Sequence, residues 1–180
     1  MTLPPQIAER IQAVDVRLDR YCLGSAIKLI YCLVDEMAFL SMAPGRRENT
    51  QGDFEDFFNS YIRQHLADQD IFDAKDLYAM RCGTLHSGGW RGQGPRHAGR
   101  RNIKWSRPDV ATACPSQEDC ASTVNYPLDD FWKAVRRGVC GFFASKAPGT
   151  PVIAERLMAS MWFMPMCRYA GPNATDGLAR

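Results

Sequence analysis

The chain has 180 residues, 46% of them apolar and 23% charged, with a formal net charge of +2. That length and balance describe a single globular domain with enough material for a core, and the sequence shows no internal repeat and no low-complexity tract. The longest apolar run, 29–40, contains Asp35 and Glu36 and follows Lys28, so it is too short and too charged to span a bilayer; the opening MTLPPQIAER lacks the sections of a secretory signal.

Pro4-Pro5 opens a first helix, with Ile7, Ile11, Val14 and Leu18 close to helical spacing. A second helix is expected from about residue 18 to residue 42. Its Tyr21, Leu23, Ile27, Ile30, Tyr31, Val34, Met37 and Leu40 leave so little polar surface that it reads as the central buried helix. Ala43-Pro44-Gly45 ends it. Thr50 and Asp53 have the spacing of a capping box. The third helix behind them carries Phe54, Phe57, Phe58, Tyr61, Ile62 and Leu66, with His65 as a charge at its C-terminal end. Asp73 is a good N-cap for a fourth helix that turns Leu77, Met80 and Leu85 inward and stops at Gly88-Gly89.

From residue 88 to residue 126 helical periodicity is absent. Segments 102–105 and 122–126 have strand character and offer a short β-hairpin around a polar loop. Two helices near Leu128–Ser145 and 150–164 complete the fold, the second with an apolar cluster of Met158, Met161, Trp162, Phe163 and Met164 suited to a core or a dimer contact. The expected class is therefore all-α: a helical bundle in one domain over 1–168, with an irregular insertion at about 88–126 and a frayed tail from 169.

Seven cysteines (Cys22, Cys32, Cys82, Cys114, Cys120, Cys140 and Cys167) lie at irregular spacings without a Cys-x-x-Cys pair. Neither a zinc site nor a disulfide framework fits, so buried reduced thiols in a cytoplasmic protein are expected. Charge is distributed unevenly. Residues 1–80 carry 8 basic and 13 acidic side chains, whereas residues 81–110 carry 7 basic and 1 acidic. The basic residues include Arg91, Arg96, Arg100, Arg101, Lys104 and Arg107, with Trp90 and Trp105 nearby, which suits the phosphates and bases of single-stranded RNA.

The basic stretch begins on the fourth helix, in Asp76-Leu77-Tyr78-Ala79-Met80-Arg81-Cys82-Gly83-Thr84-Leu85-His86. Arg81 and His86 are five residues apart, a rotation of about 140° on an α-helix, which places them on adjacent sectors. Arginine stays cationic and grips phosphate; histidine trades protons near neutral pH. Together they can cut a ribose phosphodiester with no metal and no cofactor: the imidazole takes a 2′-hydroxyl proton or gives one to the leaving 5′-oxygen. A single histidine does not readily do both, so a two-fold dimer that brings two such helices together is expected.

Asp-Leu-Tyr-x-x-Arg-Cys-Gly-x-Leu-His resembles the Arg-x(4–6)-His signature of HEPN domains, helical bundles that include many metal-independent RNases of toxin–antitoxin and defence systems. The resemblance covers about residues 5 to 90. It implies a composite homodimeric active site, with Arg81 and His86 at the two defining positions and RNA as substrate, and it leaves room for a cognate antitoxin partner. It also implies that an acidic residue on the preceding long helix orients the pair; of Asp35 and Glu36, Asp35 is the better candidate. Active members often carry Asn, Asp or His after the arginine, where this chain has Cys82. Non-catalytic members, which bind RNA, a nucleotide or a partner protein, share the same fold.

Overall fold

The computed structural model describes residues 3–86, 99–107, 123–146 and 150–163, with the side chains of His86 and residues 160–163 excepted. Helix α1 (Pro5–Asp19) buries Ile7, Ile11, Val14 and Leu18, the stripe its sequence spacing predicts. It closes in a Schellman motif: the Cys22 N–H bonds to the Arg17 carbonyl at 2.9 Å and the Tyr21 N–H to the Leu18 carbonyl at 3.0 Å. Tyr21 occupies the left-handed position of that motif, with φ 56°. Helix α2 (Leu23–Ser41) starts only after this turn. The central helix therefore does not run on from residue 18, and Tyr21, expected inside, is 62% exposed.

Helix α2 is the buried centre, with Ala26, Ile27, Ile30, Tyr31, Leu33, Val34, Met37, Ala38 and Leu40 enclosed. Its C-terminal carbonyls would otherwise be orphaned. Arg156 of α6 (Pro151–Phe163) takes them up: Nη1 donates to Leu40 O at 3.3 Å and Met42 O at 2.5 Å, and Nη2 to Ala43 O at 2.5 Å. A cation at a helix C-terminus also suits the macrodipole.

Helix α3 (Gln51–Phe57) has the expected capping box: Asp53 N–H faces Thr50 Oγ1 at 3.5 Å, and Thr50 N–H donates to Asp53 Oδ2 at 2.7 Å. The predicted helix through Leu66 is not uniform. It widens into a π-helical turn at Phe58–Ile62 and tightens into a 3₁₀ turn at Arg63–His65. Helix α5 (Leu128–Ser145) crosses this segment at Gly138, where a Cβ would lie 2.7 Å from the Tyr61 carbonyl oxygen and 2.9 Å from Ile62 Cγ1. Only glycine permits that approach.

Strands β1 (Asn102–Ser106) and β2 (Thr123–Pro127) pair, but in parallel, in register from Asn102↔Thr123 to Ser106↔Pro127. The expected hairpin is thus replaced by a parallel pair. A hairpin turn joins antiparallel neighbours, whereas parallel strands need a connection of a dozen or more residues; 107–122 supplies that length. Trp105, expected beside RNA, belongs to the core. It stacks on Phe131 at 4.6 Å and donates Nε1–H to the Tyr31 hydroxyl at 3.2 Å. Burial pushes the Tyr31 phenol far above its ordinary range, although the Trp105 hydrogen bond opposes the shift.

The fold of the described residues is mainly helical, and no helix among them is long and apolar enough to cross a membrane. The thiols depart from the expectation of full burial: Cys22, Cys32 and Cys82 are half-buried and Cys140 is exposed. Met158 is exposed too. Trp90, His97, Cys114, Cys120, Cys167 and the tail from 169 lie outside the described residues, as do the side chains of Met161, Trp162, Phe163 and Met164.

Candidate functional site

Helix α4 (Ala74–His86) begins with a reciprocal cap. Asp73 Oδ1 accepts the Asp76 N–H at 2.8 Å, and Asp76 Oδ2 accepts the Asp73 N–H at 3.2 Å. Leu77 and Met80 anchor the helix in the core, and Leu85 packs against it. With those positions facing inward, Tyr78, Arg81 and Cys82 fall on the half-buried flank.

Arg81 reaches from this flank to Asp35 on α2. Its Nε donates to Asp35 Oδ2 at 2.7 Å, and its Nη2 lies 2.5 Å from the same oxygen. Both side chains retain a little under a fifth of their exposure, 19% and 18%. Nη1 lies 3.8 Å from Cys82 Sγ, and the guanidinium carbon is 5.8 Å from the centre of the Tyr78 ring. The Asn49 amide donates to the Asp35 backbone carbonyl at 3.2 Å, so the loop before α3 also holds this part of α2.

Burial by itself would lower the Arg81 pKa; the Asp35 carboxylate outweighs it and raises the pKa above the usual arginine value. Partial burial, together with Cys82, raises the Tyr78 phenol above its own. The site therefore pairs a fixed cation with a phenol that stays protonated at neutral pH. A guanidinium held in one plane by a carboxylate can bind a phosphate oxygen or stabilise a phosphorane with little reorganisation.

Of the three expected catalytic residues, the structure brings Arg81 and Asp35 together. His86 is the last residue of α4, and its side chain lies outside the described residues. Glu36, the other acid considered on α2, pairs instead with Arg10 of α1. Beside that pair runs a groove of about 390 Å³ between α1 and α2, lined by residues that include Gln6, Glu9, Leu29 and Cys32.

The basic residues are dispersed. Arg91 and Arg96 lie outside the described residues. Arg100 is 3.9 Å from Asp73, and Arg101 donates to Asp76 from its backbone N–H at 3.0 Å and from Nε at 2.8 Å. Both arginines thus serve the start of α4, between about one and two helical turns before Arg81. Lys104 sits on β1. Arg107 donates from Nη1 to Leu18 O at 2.7 Å and pairs with Asp129 at 3.2 Å. Sequence reasoning missed Asp76, which is buried and organises Arg101. An acid in the first turn of a helix is so commonly a simple dipole partner that its position gave no signal of the longer contact.

Among the described residues no group of three or more His, Cys, Asp and Glu side chains converges as a metal site. No protein-family model, curated protein or solved structure matches the chain.

Proposed function

We propose that the chain is a HEPN-like, metal-independent endoribonuclease that works as a homodimer in the cytoplasm. The observation that carries this reading is the Asp35–Arg81 pair: the arginine of an Arg-x(4)-His segment is fixed by an acid on the preceding long helix. In the proposed reaction the 2′-oxygen of RNA attacks the adjacent phosphorus and the 5′-oxygen leaves. His86 handles the proton, with the second histidine supplied by the partner copy. Arg81 stabilises the charge on the phosphorane. Arg91, Arg96, Arg100, Arg101 and Lys104 guide the strand, the paired Arg100 and Arg101 from the far end of α4. Such an activity suits a toxin or defence effector restrained by a cognate antitoxin.

The test compares wild type, Arg81→Ala and His86→Ala on labelled RNA in the presence of EDTA. Cleavage by wild type alone is the expected result; equal cleavage by all three, or loss of wild-type cleavage in EDTA, would sink the mechanism.

One observation favours a second reading. The Nε and Nη2 donors of Arg81 already serve Asp35, and its Nη1 faces Cys82, where active HEPN members often carry a polar residue. On that reading the cleft binds RNA, a nucleotide or a partner protein without cutting. Retained RNA affinity with no cleavage product would select it.

A further inference from the structure

Tyr21 combines three properties that rarely coincide. Its backbone is left-handed at φ 56°, a conformation that glycine or asparagine adopts far more readily than an aromatic residue. Most of the residue lies in solvent, 62% exposed, so burial does little to offset that strain. And a guanidinium sits against its ring: Arg107 Cζ is 5.2 Å from the ring centre. Arg107 is itself held from two other sides, by the Leu18 carbonyl and the Asp129 carboxylate. The turn, the strand end and the start of α5 thus converge to hold one aromatic ring in solvent.

A left-handed, largely exposed aromatic residue is a backbone outlier of the kind that clusters at functional sites. We propose that Tyr21, backed by Arg107, is a stacking platform for a base of single-stranded RNA. The ring offers a π-face to any base, and the arginine behind it steadies the ring through a cation–π contact. The proposal rests on the RNA reading above but concerns a different place. Asp35 lies twelve residues beyond Leu23 along α2, about 18 Å at 1.5 Å per residue. A strand of several nucleotides could engage both points, and a dinucleotide could not.

The experiment measures binding of fluorescein-labelled single-stranded RNA 12-mers by anisotropy at fixed salt, alongside melting temperatures. All proteins carry His86→Ala, so cleavage cannot contaminate the result and an inactive wild type does not void it. Tyr21→Gly and Tyr21→Asn both accept the left-handed turn and remove the ring. Each is expected to keep or raise the melting temperature while weakening 12-mer binding about tenfold, the scale of one stacked base. Tyr21→Trp and Tyr21→Phe are expected to bind like the parent protein. Equal affinity across all five proteins overturns the proposal, as does no measurable binding by the parent. A melting temperature that falls in step with affinity for both Gly and Asn overturns it too, because the tyrosine would then be serving the fold.

Discussion

Arg81 presents two adjacent donors, Nε and Nη2, to one oxygen of Asp35, at 2.7 and 2.5 Å. The contact joins residues 46 positions apart and fixes the arginine's plane against the central helix. Asp35→Ala should leave the charge of Arg81 in place but release its orientation. On the proposed endoribonuclease reading, RNA cleavage is expected to fall roughly 10- to 100-fold, the cost of misplacing a catalytic group by about an ångström. Asp35→Asn keeps an acceptor for the guanidinium and should retain more activity than the alanine variant. Arg81→Lys loses the planar fork and should be at least as damaging as Asp35→Ala. Single-turnover rates on a labelled RNA decide the order, and equal rates for Asp35→Ala and wild type would remove Asp35 from the site.

Gly138 tests the packing of α5. An alanine there would place its methyl carbon about 2.7 Å from the Tyr61 carbonyl oxygen, which belongs to the backbone and cannot swing aside. Overpacking of this kind typically costs roughly 1–3 kcal/mol. Calorimetry should show a melting temperature lower by about 2–4 °C for each kcal/mol lost. An unchanged melting temperature would mean that the π-helical turn yields to the methyl group.

Asp53 gives a pH dependence of known sign. Partial burial pushes its carboxyl up, but hydrogen bonds from Arg46 and Thr50 prevail and bring the pKa down to about 2. A group whose folded pKa is depressed stabilises the protein above its unfolded pKa, near 4, and the contribution is lost as pH falls toward about 2. The difference in urea midpoint between wild type and Asp53→Asn should therefore be largest above pH 5 and shrink between pH 4 and pH 2. A difference that stays constant with pH would show that the carboxylate's charge is not what matters.

Arg156 is 5% exposed and supplies donors to three carbonyls at the end of α2. Arg156→Ala strips those acceptors of their partners, at a cost of roughly 2–3 kcal/mol for hydrogen bonds that involve a charged group. Arg156→Lys has the charge without the fork and should recover part of it. Chemical denaturation of the three proteins measures the ranking.

Much of the scaffold could be read from local chemistry. The α1 stripe of Ile7, Ile11, Val14 and Leu18, the Thr50–Asp53 box and the Asp73 cap all depend on neighbours within a turn or two, and the structure has them. Asp35 and Glu36 stood out together because an acid within a buried helix needs a partner, and they pair with Arg81 and Arg10. What escaped depended on distant residues or on an unusual local choice. The break between α1 and α2 is closed by a left-handed tyrosine where glycine or asparagine would have announced it. The π-helical turn keeps the apolar spacing of an ordinary helix and exists where α5 approaches. The contacts of Arg100 with Asp73 and of Arg101 with Asp76 were not legible either, because each acid lies more than two dozen residues upstream.

The parallel pairing of β1 with β2 bears on how the chain reaches this state. Each β1 residue meets a partner 21 positions later, and β2 passes directly into α5. No tight turn can zip these strands together locally. Their pairing has to meet the entropy of closing the intervening chain, and it shares its core contacts with α5, where Phe131 stacks on Trp105. The helices at the N-terminal end can form early from nearby contacts. The strand pair, with the Trp105–Tyr31 bond that fastens it to the central helix, is expected to be completed after them, because its contacts are far apart in sequence.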